Sequence, residues 1–118
     1  MITIYGIPNC GSVKKAFVWF EEHGVPYHFH NFKKDGLSAD LLNAWLASPI
    51  AADLLNRKGL GWRKLTEEER AAALASEDGL RQQLLAMPTL IKRPVIAYDD
   101  GSLTVGVVED LWAQKTGH

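Results

Sequence analysis

The chain has 118 residues, 47% of them hydrophobic, and its 13 lysines and arginines against 14 aspartates and glutamates leave a formal charge of -1. A chain of this size and composition is expected to form one domain, residues 1–118, with a core that needs no crosslinks, and its balanced charge gives no general attraction for nucleic acid or a membrane surface. Cys10 is the single cysteine, which excludes an internal disulfide, and the opening Met1-Ile2-Thr3-Ile4-Tyr5 lacks the basic stretch and long apolar run of a secretory leader, so a cytoplasmic location is expected.

Ile2, Ile4 and Gly6 alternate with Thr3, Tyr5 and Ile7, which predicts a strand from Ile2 to Ile7. Val13, Ala16, Phe17 and Phe20 then follow helical spacing from Cys10 onward, and Gly24 with Pro26 supplies the stop. A second strand is expected from Tyr27 to Phe32, parallel to the first because only one helix separates them. Leu41, Leu42, Trp45 and Leu46 make the stripe of a third segment, a helix. Ser48-Pro49 reads as the start of another, which Leu54-Leu55 would carry toward Gly59, with Arg57 at its C-terminus. Thr66 and Glu69 match a capping box, and Leu80, Leu84, Leu85 and Met87 mark a helix closed by Pro88. Strands are expected over Pro94–Tyr98 and Leu103–Val105, around the turn-rich Asp99-Asp100-Gly101-Ser102, and Val108, Leu111 and Trp112 suggest a closing helix.

The order is therefore βαβ, a helical block, then ββα. This α/β class has the element order of a thioredoxin-like fold with a helical insertion between its halves. In that order Cys10 falls at the junction of strand and helix, within Pro8-Asn9-Cys10-Gly11-Ser12-Val13-Lys14-Lys15. Unpaired N–H groups and the positive end of the helix dipole favour an anion there, and thiolate is the reactive form of cysteine. Lys14 and Lys15 add positive charge to a helix start that ordinarily prefers acids, which fits an anion held beside them; in any other helix they would be plain solvated charges. Burial as a small hydrophobe is the competing fate of a free cysteine.

Other residues admit both structural and functional readings. Arg57, at an expected helix end, suits capping as well as ligand binding. Arg93 precedes Pro94, and a cis bond at that place would turn it toward the strand ends near Cys10. His28 and His30 share one face of a strand, but no acid or thiol stands at useful spacing, so no metal is expected. The tryptophans, Trp19, Trp45, Trp62 and Trp112, read as core fillers. Arg57-Lys58 and Trp62-Arg63-Lys64 mix basic and aromatic residues, yet the overall charge argues against nucleic-acid binding.

The motifs Gly6-Ile7-Pro8-Asn9-Cys10-Gly11-Ser12, Leu54-Leu55-Asn56-Arg57-Lys58-Gly59 and Met87-Pro88-Thr89-Leu90-Ile91-Lys92-Arg93-Pro94, in that order, resemble the ArsC-type arsenate reductase family. With Trp62-Arg63-Lys64-Leu65 they are most similar to its YffB-type branch, and the likeness covers nearly the whole chain. The resemblance implies a thioredoxin-like fold and glutathione-linked thiol chemistry, with Cys10 as nucleophile and Arg57 and Arg93 as the arginines that hold an anion or a thiol partner.

The chain departs from that pattern at defined places. Where the resembled arsenate reductases carry a histidine two residues before the motif proline, this chain has Gly6; where they carry a third arginine, it has Gly106. Stabilising the charge that develops on an oxyanion under attack is the demanding part of arsenate reduction, and a missing arginine removes some of it. The resembled Spx-like regulators, which contact RNA polymerase, use a Cys-x-x-Cys switch whose second place is Val13 here. The sequence therefore predicts a glutathione-dependent thiol-disulfide reductase. Cys10 attacks a small disulfide or protein mixed disulfide, Gly11, Ser12, Lys14, Arg57 and Arg93 hold the substrate, and glutathione as co-substrate resolves the adduct with no metal and no nucleotide. The alternatives are a redox-sensing regulator that binds a protein partner, and a genuine arsenate reductase.

Overall fold

A computed structural model describes residues 1–118, and its contacts divide the chain into two compact units: residues 1–36 with 93–118, and residues 37–92.

The first unit is a sheet with helices. Strand β1 (Ile2–Gly6) lies between β2 (Tyr27–Asn31), which is parallel to it, and β3 (Val95–Ala97), which is antiparallel; β4 (Leu103–Val105) continues antiparallel beyond β3. The sheet order β2-β1-β3-β4, with helix α1 (Gly11–Glu22) joining β1 to β2 and α7 (Glu109–Thr116) following β4, is the thioredoxin-like arrangement expected from the sequence. The alternation in β1 buries Ile2, Ile4 and Gly6, while Thr3 and Tyr5 stay half-buried. Helix α1 buries Val13, Ala16, Trp19 and Phe20, and Trp112 of α7 is fully buried with them. Ile96 and Tyr98 complete this core, whose burial from water is its main stabilisation. Phe17, expected in the core stripe, is partly buried at the margin of this core and packs against it, stacked on Tyr27 at 5.4 Å and edge-on to Phe29 at 4.9 Å. Tyr98 donates or accepts a 2.7 Å hydrogen bond with Thr104, the one buried polar side chain of the core.

Three strands end one residue sooner than the pattern suggests, β3 among them, which spans Val95–Ala97 rather than Pro94–Tyr98. Ile7 lies beyond β1, and Phe32 opens a short helix α2 (Phe32–Asp35) because the Asn31 side chain accepts from the Lys33 N–H and turns the chain.

The second unit supplies the expected helical block. Ser38 caps α3 (Ala39–Leu46), which buries Leu42, Trp45 and Leu46. The helix expected from Pro49 toward Gly59 does not form. Only one 3₁₀ turn, Ala51–Asp53, is present; Leu55 then pairs with Ile91 as an isolated bridge. Hydrogen bonds from Asn56 N–H to the Leu90 carbonyl (2.9 Å) and from Lys92 N–H to the Leu54 carbonyl (2.7 Å) fix that pairing, so the backbone groups of this apolar stretch are satisfied across the unit rather than along a helix. Arg57 consequently stands in a turn, not at a helix end. A helix the sequence reading left out, α4 (Leu60–Lys64), follows. The Thr66–Glu69 capping box opens α5 (Glu67–Ala75) as expected, Ser76 caps α6 (Glu77–Ala86), and Pro88–Leu90 forms a 3₁₀ turn after it.

Candidate active site

Cys10 is the N-cap of α1, extended at φ -95° and ψ 127°, and is partly exposed. Pro8 and Asn9 end the strand, and the Cys10 carbonyl accepts the Lys14 N–H at 3.0 Å, which closes the first turn. The neutral sulfur makes no ordinary capping bond, yet the Arg93 side chain and the backbone N–H groups of Val13 and Ser12 are aimed at it. Burial pushes the thiol up; hydrogen bonding from Arg93, Val13 and Ser12, together with the charge of Arg93, outweighs that and holds it below its ordinary value. These donors would serve a thiolate better than a thiol, as a helix start and a guanidinium both should.

The Arg93–Pro94 peptide bond is cis, and Arg93, half-buried just before β3, reaches the sulfur. Gly11 is exposed, and a Cβ built on it would meet nothing within 4 Å, so the space beside the thiol is open. Ser12 is half-buried and contributes its backbone N–H. Lys14 points to solvent one turn away and lines a groove along α1. Thus Cys10, Gly11, Ser12, Lys14 and Arg93 gather in the first unit. The Val13 N–H is a donor the sequence reading missed; its position three residues into the helix after a capping residue was the signal available.

Arg57 belongs to the second unit. Its guanidinium carbon sits 5.5 Å from the centroid of the Trp62 ring, a cation–π distance, and it shares a concavity of about 260 Å³ with Lys58, Lys92 and Asp53. His28 is exposed, and the His30 Nε2 is 2.7 Å from the Gly36 carbonyl, a bond that accounts for it structurally. No group of three histidine, cysteine or acidic side chains is placed to hold a metal ion.

Two glycines shape the site. At Gly6, a Cβ would lie 2.5 Å from Val13 Cγ2, so β1 and α1 approach too closely there for any side chain without a shift. At Gly106, φ is +82° and the N–H donates to the Pro94 carbonyl at 2.9 Å, which fastens the exit of β4 to the start of β3.

The ArsC family model matches residues 5–114. The solved structure of the YffB protein superposes with a TM-score of 0.90 at 36% identity, covering 98% of this chain and 99% of that one. An arsenate reductase (ArsC) related protein from Brucella melitensis is 42% identical with a TM-score of 0.74, over 96% and 92% of the two chains. The global transcriptional regulator Spx of Bacillus subtilis is 30% identical over 112 residues, 93% of this chain and 82% of the regulator. A cysteine at a helix start on a thioredoxin-like sheet, in a chain matched nearly end to end by these proteins, leaves no doubt of descent: the chain belongs to the ArsC family.

Proposed function

We propose that this protein is a glutathione-dependent thiol-disulfide oxidoreductase acting through Cys10 alone. The observation that carries the reading is the set of donors around a lone thiol: Arg93, Ser12 N–H and Val13 N–H favour thiolate, and the chain has no second cysteine to resolve an adduct. In the first step the Cys10 thiolate bonds to one sulfur of a disulfide; the S–S bond breaks, and its electron pair leaves on the other sulfur, which takes a proton from water. In the second step a glutathione thiolate attacks the mixed disulfide on Cys10, forming a new disulfide and returning Cys10 as thiolate. A second glutathione thiolate then attacks the glutathione sulfur of that new disulfide and releases the remaining substrate thiol, so two glutathione thiols are oxidised for each disulfide reduced and glutathione disulfide is the product.

Arg93 stabilises the Cys10 sulfur as it regains charge on resolution, and its guanidinium is the group assigned to a carboxylate of glutathione. The assignment of Arg57 to a second carboxylate rests on the family motif alone. Arg57→Ala and Arg93→Ala should each lower kcat/KM with glutathione by about 10- to 100-fold, the worth of a hydrogen bond to a charged group. Unchanged kinetics in Arg57→Ala would remove it from the site; unchanged kinetics in both would overturn the binding scheme.

Likeness to Spx supports a second reading, a regulator whose Cys10 is a redox switch. Repeated turnover of 2-hydroxyethyl disulfide with glutathione, abolished in Cys10→Ser, supports the enzyme; a single stoichiometric adduct with no turnover supports the switch. Arsenate is the third substrate to assay on the same preparation. Gly6 and Gly106 stand where the resembled arsenate reductases place a histidine and an arginine, so arsenate turnover should be far slower than disulfide reduction. Arsenate turnover that exceeds disulfide reduction would overturn the proposal.

A further inference from the structure

A groove of about 470 Å³ runs along the outer side of α1, from Gly11 beside the thiol to Glu22, with Val107 and Glu109 on its other wall. Its middle is apolar and exposed: Val18 is 51% and Val107 38% exposed, and Trp19 forms part of the lining. An isolated exposed valine needs no explanation, but two facing one groove beside a reactive thiol do. The charges are sorted by position. Lys14 and Lys15 line the end of the groove nearer the thiol with no carboxylate within ion-pairing distance, Arg93 adds a positive charge at the Cys10 sulfur itself, Glu22 lines the far end of α1, and Glu109 is the other carboxylate of the lining.

We infer that this groove receives an extended segment of a protein substrate, whose cysteine carries the mixed disulfide with glutathione that Cys10 attacks, with an acidic residue beside that cysteine, apolar residues next and a basic residue beyond. The inference rests on the thiol-disulfide activity proposed above and names the substrate class. The distance decides for a peptide over a compact disulfide. Lys14 and Glu22 are eight residues apart on one helix, a rise of roughly 12 Å, which an extended peptide covers in about four residues. A small disulfide would reach one charged end only. In the reaction the Cys10 sulfur bonds to the glutathione sulfur, the substrate S–S bond breaks, and the substrate cysteine leaves as a thiolate that takes a proton from water. A free glutathione then removes the glutathione on Cys10 as its disulfide, so the substrate protein is reduced and glutathione is the reductant.

The test uses glutathionylated pentapeptides of one composition, Cys-Glu-Leu-Leu-Lys and Cys-Lys-Leu-Leu-Glu, with the same pair built in the opposite chain direction. The acid-adjacent peptide in its better direction should be reduced with a kcat/KM about 10-fold higher than the charge-swapped one, the scale of a few exposed ion pairs. Lys14→Glu with Lys15→Glu should erase or invert that ratio. Val18→Glu and Val107→Glu, both at exposed positions that tolerate a polar side chain, should lower kcat/KM for the peptides relative to 2-hydroxyethyl disulfide. In parallel, the Cys10→Ser protein is titrated by NMR with the unreactive Ser-Glu-Leu-Leu-Lys peptide and its reverse, and shifts are expected at Lys14, Val18, Trp19 and Val107. Equal kcat/KM for both charge orders, or shifts confined to other surfaces, overturns the groove while turnover of 2-hydroxyethyl disulfide leaves the activity standing. Peptide shifts along the groove without any disulfide turnover would overturn the activity instead.

Discussion

At the scale of single residues, two ionisable side chains tie structure to pH. Cys10 is held below its ordinary pKa because Arg93 and two helix-start N–H groups outweigh the effect of partial burial. Its ionised form is favoured in the folded state, so its contribution to stability is complete above the unfolded thiol value and is lost as pH falls through the lower folded value. Thiolate absorbance should therefore titrate below an ordinary thiol, Arg93→Ala should move the midpoint up, and the stability of Cys10→Ser should lag the parent increasingly as pH rises through that window. A midpoint at the ordinary value would leave Cys10 an inert thiol. Tyr98 behaves in the opposite sense: burial first, eased by its bond to Thr104 and reinforced by Asp100, pushes it from 10.0 to about 12. The folded state prefers the neutral phenol, so that contribution is intact below about pH 10 and disappears as pH climbs toward about 12. Tyr98→Phe strands the Thr104 hydroxyl and should cost about 1–2 kcal/mol at neutral pH, with a shallower alkaline loss in denaturant titrations.

At the scale of elements, the close approach of β1 to α1 is the sharpest constraint. Gly6→Ala forces a methyl against Val13 Cγ2 and should cost about 1–3 kcal/mol; adding Val13→Ala should recover much of that, and full additivity of the two losses would show that the strand and helix move apart freely. Val13 is fully buried, which explains in packing terms how the place of a second thiol in a Cys-x-x-Cys switch is occupied here. Elements were legible in the sequence where local signals suffice. Cys10 and α1 could be read because a strand, a Pro8-Asn9 break and helical spacing all lie within some twenty residues, and the Thr66–Glu69 box needs only four. The stretch around Leu54-Leu55 misled because its partner, Ile91, lies in another part of the chain: an apolar pair cannot announce whether a helix or a distant backbone will satisfy its polar groups. The same ambiguity puts Arg57 at a helix end in the sequence pattern and in a turn in the fold. Helix α4 was hidden by Gly59 and Gly61, which weaken any local propensity. Val18, off the Val13-Ala16-Phe20 stripe yet apolar, was a visible sign of the groove that the periodicity alone left unexplained.

At the scale of the molecule, the sheet sets a gradient of order. β1 is bonded on both sides, whereas β2 and β4 are edges and β4 has 3 residues. Amide exchange should be slowest at Ile4 and its neighbours in β1 and faster in β4; equal protection in both would contradict this ordering. The whole chain carries one thiol, so incubation with glutathione disulfide should give one glutathione adduct per molecule, removable by reduced glutathione and absent in Cys10→Ser. An adduct that reduced glutathione cannot remove would exclude a catalytic cycle.

The loop at Gly106 has a further consequence for descent. Its left-handed backbone and its bond to the Pro94 carbonyl tie the turn to the strand that follows Arg93. A point mutation installing an arginine there would have to refit the turn before its charge could serve any chemistry, and the refitting would disturb the neighbourhood of Arg93 that it was meant to assist. Any side chain at this place therefore needs a compensating change in the turn, so natural variation here is expected to arrive as paired substitutions rather than single ones.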